Sequence, residues 1–170
     1  MKPSHLLSTS LAIFLCCAQI SGAADTPDAR LAELDAYWDT VSRAVAEGDF
    51  EGYKATCHPE GVLVSGSKKT SHPLSVALAR WEKDFTATKS GRVKASVEFR
   101  FSQRFGDAAT AHETGIFLYT SEDSEGRVTR KHIHFEALLV KRRGDWKILM
   151  EYQKSKVERG QWEALQPKLK

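Results

Sequence analysis

An imidazole and a phenol on one apolar strand face would make a proton-transfer pair, and the sequence offers one in His112 and Tyr152. If Gly106-Asp107 closes a two-residue hairpin, Phe101 falls opposite His112, Phe99 opposite Thr114 and Val97 opposite Ile116. A turn at Arg143-Gly144 sets Ile133, Phe135, Ala137 and Leu139 on one face with Trp146, Ile148, Met150 and Tyr152. Trp38 and Trp81, on helical stripes, would close this face into a pocket lined by Phe99, Thr114 and Phe135. In that pocket His112 is the expected acid or base, and Tyr152 the donor to a developing oxyanion. The competing reading is a histidine buried without chemistry, its nitrogens paired with Thr114 or backbone.

The opposite face is dense in polar groups. Arg100, Glu113, His134, Glu136 and Glu151 fall there together with Glu98, Ser102, His132 and Gln153. Arg100 would pair across from Glu113, and Glu136 would fall opposite Glu151, a repulsive contact without a cation or shared proton. His132, His134 and Glu136 alternate as metal ligands would, but a solvated face or a charged dimer interface explains the spacing as well. No metal or cofactor is assigned. Phe117, Tyr119, Leu138, Val140 and Leu149 add apolar surface among these charges, which leads to the expectation of a homodimer through this face. In this register no carboxylate of the sheet reaches the inner face; Asp39 and Asp84 flank the helical stripes and could reach the pocket, with water their expected surrounding.

The elements that position these groups follow from periodicity. Leu31, Leu34, Trp38, Val41 and Val45 recur at helical spacing between Asp28 and Glu47, and Gly48 closes the helix. Asp49 caps a shorter helix through Phe50, Tyr53 and Cys57 that stops at His58-Pro59, after which Val62-Leu63-Val64 form a short strand. Pro73 starts a third helix carrying Leu74, Ala77, Leu78, Trp81 and Phe85. From Val93 onward apolar and polar residues alternate in four long strands separated by turns at Gly106-Asp107, around Gly126 and at Gly144-Asp145. Helices first and strands last predict an α+β domain with an antiparallel sheet.

Residues 1–23 have the pattern of a secretory signal, with Lys2 as the positive start, Leu11 to Ala18 as the apolar centre and Ser21-Gly22-Ala23 as the cleavage site. Residues 24–170 then form a single domain, expected in the periplasm or outside the cell. The apolar stretch is shorter than the roughly 20 residues of a permanent span, so no membrane association is expected after cleavage. The formal charge of +3 falls to +2 without Lys2, with both signs interspersed, which argues against a nucleic-acid partner. Cys57 would be the lone cysteine of the mature chain, leaving no internal disulfide.

The element order, with Glu47-Gly48-Asp49-Phe50, His58-Pro59-Glu60-Gly61-Val62-Leu63-Val64 and Gly144-Asp145-Trp146-Lys147-Ile148, resembles the nuclear transport factor 2-like superfamily, which includes ketosteroid isomerase and the SnoaL-like cyclases. The resemblance implies a cone-shaped, curved antiparallel sheet wrapped around a pocket, three N-terminal helices, and pairing through the outer sheet face. Many relatives carry a histidine six residues after the tryptophan that corresponds to Trp146, where this chain has Tyr152. Such a fold serves many chemistries. Two readings follow: an isomerase, dehydratase or hydrolase acting on a small apolar or carbonyl-containing molecule, and a non-catalytic protein that binds a ligand or partner.

Overall fold

A computed structural model describes residues 27–166, so the signal-peptide reading and its cleavage site lie outside the described residues. The first helical stripe forms α1 (Pro27–Glu47), whose Leu34, Tyr37, Trp38, Val41 and Ala44 are buried along one side. Gly48 ends it at φ +66°, where a Cβ would stand 2.4 Å from the Lys89 backbone nitrogen. Only glycine allows this close passage of the chain. Asp49 caps α2 (Phe50–Ala55) by accepting the Gly52 N–H at 3.0 Å.

Two expectations change here. The second helix ends at Ala55, and Cys57 opens a strand, β1 (Cys57–Ser65), longer than the expected Val62–Val64 segment. The stretch before Pro73 adds a short partner strand, β2 (Thr70–Pro73), and Pro73 stands just outside α3 (Leu74–Lys89) as its N-cap.

The four alternating segments form β3 (Val93–Gly106), β4 (Thr110–Asp123), β5 (Val128–Arg142) and β6 (Asp145–Lys156). The six strands make one curved, unclosed sheet in the order β2-β1-β6-β5-β4-β3, antiparallel except where β1 runs parallel to β6. This is the α+β cone, with α1, α2 and α3 packed into its concave face. Phe135, Leu139, Leu74 and Leu34 are its largest fully buried apolar side chains.

A further helix, α4 (Arg159–Ala164), follows β6 and was not expected. Its N-terminus is closed by a capping box between Glu158 and Gln161, with glutamate where the sequence signature has Ser, Thr, Asp or Asn. Trp162 of α4 is buried against the convex face, with the Arg100 guanidinium 4.3 Å from its ring centroid. Arg100 Nη1 also donates to the Trp162 and Leu165 carbonyls, each at 3.0 Å, so Arg100 fastens the helix and does not pair with Glu113.

Two bulges decide which side chains face inward. The Gly106 turn is longer than a two-residue hairpin: Asp107 Oδ1 accepts the N–H groups of Ala109 and Thr110, and Gly106 pairs with Ala111. Phe105 therefore lies opposite His112, while Phe101 lies opposite Gly115, because Ser102 is an extra residue between the Phe101 and Gln103 pairings. At Gly115 a Cβ would stand 2.1 Å from the Arg100 carbonyl oxygen, so this strand approach also requires glycine. At the other hairpin, Arg143 (φ 54°) and Gly144 (φ 91°) make the expected turn and Arg142 pairs with Asp145. Leu149 is then extra, since Leu139 pairs with Ile148 but Leu138 pairs with Met150.

Each bulge exchanges the faces of everything beyond it. On β4, Glu113, Phe117 and Tyr119 turn inward, and His112, Thr114 and Ile116 outward. On β6, Trp146 and Ile148 stay inward, but Glu151 and Gln153 replace Met150 and Tyr152 on the concave face.

Candidate functional site

Between the helices and the sheet lies a cavity of about 320 Å³. From α1 it receives Tyr37, Trp38 and Val41, from α2 Tyr53, and from α3 Trp81 and Phe85. The sheet adds Phe99 from β3, Phe117 from β4, and Ile133 and Phe135 from β5. The rings are in mutual contact: Trp38 lies 4.4 Å from Phe99 between centroids, Phe117 lies 5.6 Å from Phe135, and Tyr53 lies 6.1 Å from Trp81. Exposed Asp84 and Lys131, with half-buried Tyr119, mark the mouth.

The polar group at the other end is Glu151. Gln153 Nε2 donates to its Oε1 at 2.6 Å, which leaves Oε2 for a ligand. Burial pushes the Glu151 carboxyl above the ordinary carboxylate range, and the Gln153 hydrogen bond offsets only part of this. Around it, burial raises both phenols well above the usual value: Tyr37 further through the Cys57 thiol, Tyr53 through Glu151. The Tyr37 hydroxyl is occupied, donating to the Thr56 carbonyl at 3.2 Å. Cys57 is pushed up to about 12, mainly by burial, so it stands in the cavity as a thiol and not as a nucleophile. Cys57 should accordingly resist a thiol reagent at pH 8 in the folded protein and react once urea unfolds it; rapid native-state labelling would contradict this environment.

Next to the cavity lies a second buried carboxylate that the sequence reading had placed outside. Glu113 is 0% exposed. It accepts the Trp38 indole N–H at 2.5 Å and the Arg104 Nε–H at 2.5 Å, while Arg104 Nη1 donates to Asp35 at 2.7 Å. The Ser102 bulge brings Arg104 to this face, where its guanidinium lies 4.4 Å from the Phe101 ring centroid. Glu113 thus fixes the orientation of a cavity-wall tryptophan.

The sequence-derived residues divide accordingly. Trp38, Trp81, Phe99 and Phe135 line the cavity. His112, Thr114 and Tyr152 lie on the convex face, where no acid–base group can reach the cavity, because the two bulges reverse the faces on which they had been read. Of the outer-face cluster, Arg100, His134 and Glu136 are outside, while Glu113 and Glu151 are inside, so neither the Arg100–Glu113 pair nor the Glu136–Glu151 repulsion exists. Glu136 instead meets Lys154 at 2.7 Å and His112 Nε2 at 3.5 Å. The Lys154 hydrogen bond holds the Glu136 carboxyl below its usual range. Phe117 and Tyr119, read as outer apolar surface, also face the cavity. Among the described residues no group of three or more His, Cys, Asp or Glu is placed to hold a metal ion.

One sequence signal could have located Glu151. Ile148-Leu149-Met150 is a run of three apolar residues inside an alternating strand, as a bulge with side chains on both faces requires. The Ser102 bulge has no comparable mark beyond the glycine facing it across the ladder, Gly115.

Comparison with known proteins places this geometry. Residues 30–157 match the family model described as calcium/calmodulin dependent protein kinase II association domain. Among solved structures, a conserved protein from Planctomyces limnophilus is similar with a TM-score of 0.63 at 12% identity, over 74% of this chain and 94% of that one. A ketosteroid isomerase-like protein from Erwinia carotovora atroseptica is similar with a TM-score of 0.55 at 20% identity, over 76% and 97%. An NTF-2 like protein from Shewanella oneidensis is similar with a TM-score of 0.56 at 15% identity, over 72% and 97%. No curated protein matches the chain in sequence.

Proposed function

Because the chain belongs to the calcium/calmodulin dependent protein kinase II association domain family, within the nuclear transport factor 2-like superfamily, we propose that it is an exported small-molecule-binding domain whose acid–base group is Glu151. The observation that carries this reading is a carboxyl set without a charged partner at the end of an aromatic cavity of about 320 Å³. A molecule with an apolar body and one polar group matches such a site: the rings take the body, and Oε2 of Glu151 meets the polar group.

A catalytic role rests on the same carboxyl. A carboxyl displaced toward neutral pH can give up and regain a proton during turnover, as an isomerase, dehydratase or hydrolase requires. Tyr53, held as a neutral phenol, adds a hydroxyl donor to the cavity lining. The alternative, binding without turnover, needs only the walls.

Export is supported by Lys2, the Leu11–Ala18 stretch and Ser21-Gly22-Ala23. A homodimer is supported by Leu138, Val140 and Met150, half-buried apolar residues on the convex face of β5 and β6. Native mass spectrometry of protein recovered from the periplasmic or extracellular fraction tests these points together. The expected species is a dimer of chains cut after Ala23, carrying a small organic molecule that Ile133→Trp, which fills the cavity, excludes. Uncut chains would overturn the export reading and a monomer the dimer. A bound molecule retained by the tryptophan variant would overturn the cavity reading.

A further inference from the structure

Several carboxylates elsewhere on the protein meet cations. Glu113 has Arg104 at 2.5 Å, Glu136 has Lys154 at 2.7 Å and Glu33 has Lys141 at 2.6 Å. Among the described residues Glu151 has only the neutral amide of Gln153, although it is the carboxylate enclosed by the cavity. Nine of the twenty residues lining that cavity are aromatic, and its one basic side chain, Lys131, is exposed at the mouth. Ring faces carry negative potential. Aromatic walls around an unpaired carboxylate therefore complement a positive charge and disfavour an anion.

Resting on the reading that this cavity is the binding site, we propose that its ligand is a lipophilic amine, whose ammonium group pairs with Glu151 while its apolar body packs among Trp81, Phe85, Phe99 and Phe117. The groups facing Glu151 leave this role to it. Tyr37 from α1, Tyr53 from α2 and Cys57 from β1 are all held neutral by burial. Asp84 from α3, Tyr119 from β4 and Lys131 from β5 stand at the mouth, while β3 contributes only apolar Val97 and Phe99. Burial favours the protonated acid in the empty cavity, so an arriving ammonium displaces a proton into solution, and affinity rises with pH.

Calorimetric titration of the whole chain with 2-phenylethylamine and with its neutral counterpart 2-phenylethanol, between pH 5 and 8.5, tests the proposal. The amine should bind at least tenfold more tightly than the alcohol at pH 8.5. Its affinity should rise across the range, with a heat that depends on the buffer's ionisation enthalpy. Glu151→Gln should abolish the preference, bringing amine affinity down to that of the alcohol; if that variant does not fold, the wild-type pH profile and buffer dependence decide alone. Equal or tighter binding of the alcohol at every pH overturns the amine class and leaves the cavity reading standing. An amine preference that survives in Glu151→Gln, or that is flat with pH, overturns the pairing with Glu151. If neither compound binds while the apolar probe N-phenyl-1-naphthylamine does, the amine class falls and the cavity reading stands; if the probe does not bind either, the cavity reading falls as well.

Discussion

Glu113→Ala should destabilise the domain by about 3–5 kcal/mol, the cost typical of removing one partner from a buried ion pair. The substitution leaves the Trp38 indole N–H without its acceptor and deprives Arg104 of one of its two carboxylate partners in a wall where Glu113 is wholly enclosed. Glu113→Gln keeps the shape and an acceptor for Trp38 but not the charge, so its loss should be smaller. Glu136→Ala is the contrast. Its partner Lys154 is partly exposed, water screens the pair, and the change should stay within about 1 kcal/mol. Urea denaturation with an unchanged m-value measures all three. A loss below about 1 kcal/mol for Glu113→Ala would contradict the network.

Glu151→Gln should act in the opposite direction and depend on pH. The folded state raises this carboxyl, so between the unfolded and folded pKa values the folded chain holds a proton that the unfolded chain has released. Stability then falls as pH rises through that window. Below the unfolded value both states are protonated and the penalty vanishes. The neutral glutamine removes the penalty, so near pH 8 the variant should be more stable than the wild type, by on the order of 1 kcal/mol for a half-buried group that keeps one hydrogen bond. Near pH 4 the two should melt alike. Stabilisation of the same size at both pH values would place the effect in packing and not in the charge.

The sequence made the architecture legible because its periodic signals were long. The α1 stripe and the four strands from Val93 onward appear close to where alternation predicts them, and the Arg143-Gly144 turn has the expected pairing. Aromatic walls were legible for the same reason: Trp38, Trp81, Phe99 and Phe135 lie on faces set by helical spacing or by strand segments whose parity is not reversed. The polar site was not, because it lies beyond the bulges. One inserted residue at Ser102 and one at Leu149 carry Glu113 and Glu151 inward and His112 and Tyr152 outward. The sheet carboxylate expected to be missing from the pocket stands one position from Tyr152, at Glu151. Short elements were lost for a different reason, since β2 and α4 are too brief for periodicity to register.

The central claim is that the cavity beneath Trp81 and above Glu151 takes up small apolar molecules. Fluorescence titration with N-phenyl-1-naphthylamine, an uncharged probe that brightens when it leaves water, tests it most directly in the wild type and in Ile133→Trp. Saturable binding by the wild type, lost in a variant that keeps its circular dichroism and melting behaviour, is the predicted result. Equal binding by both proteins would move the ligand site off this cavity and contradict the account.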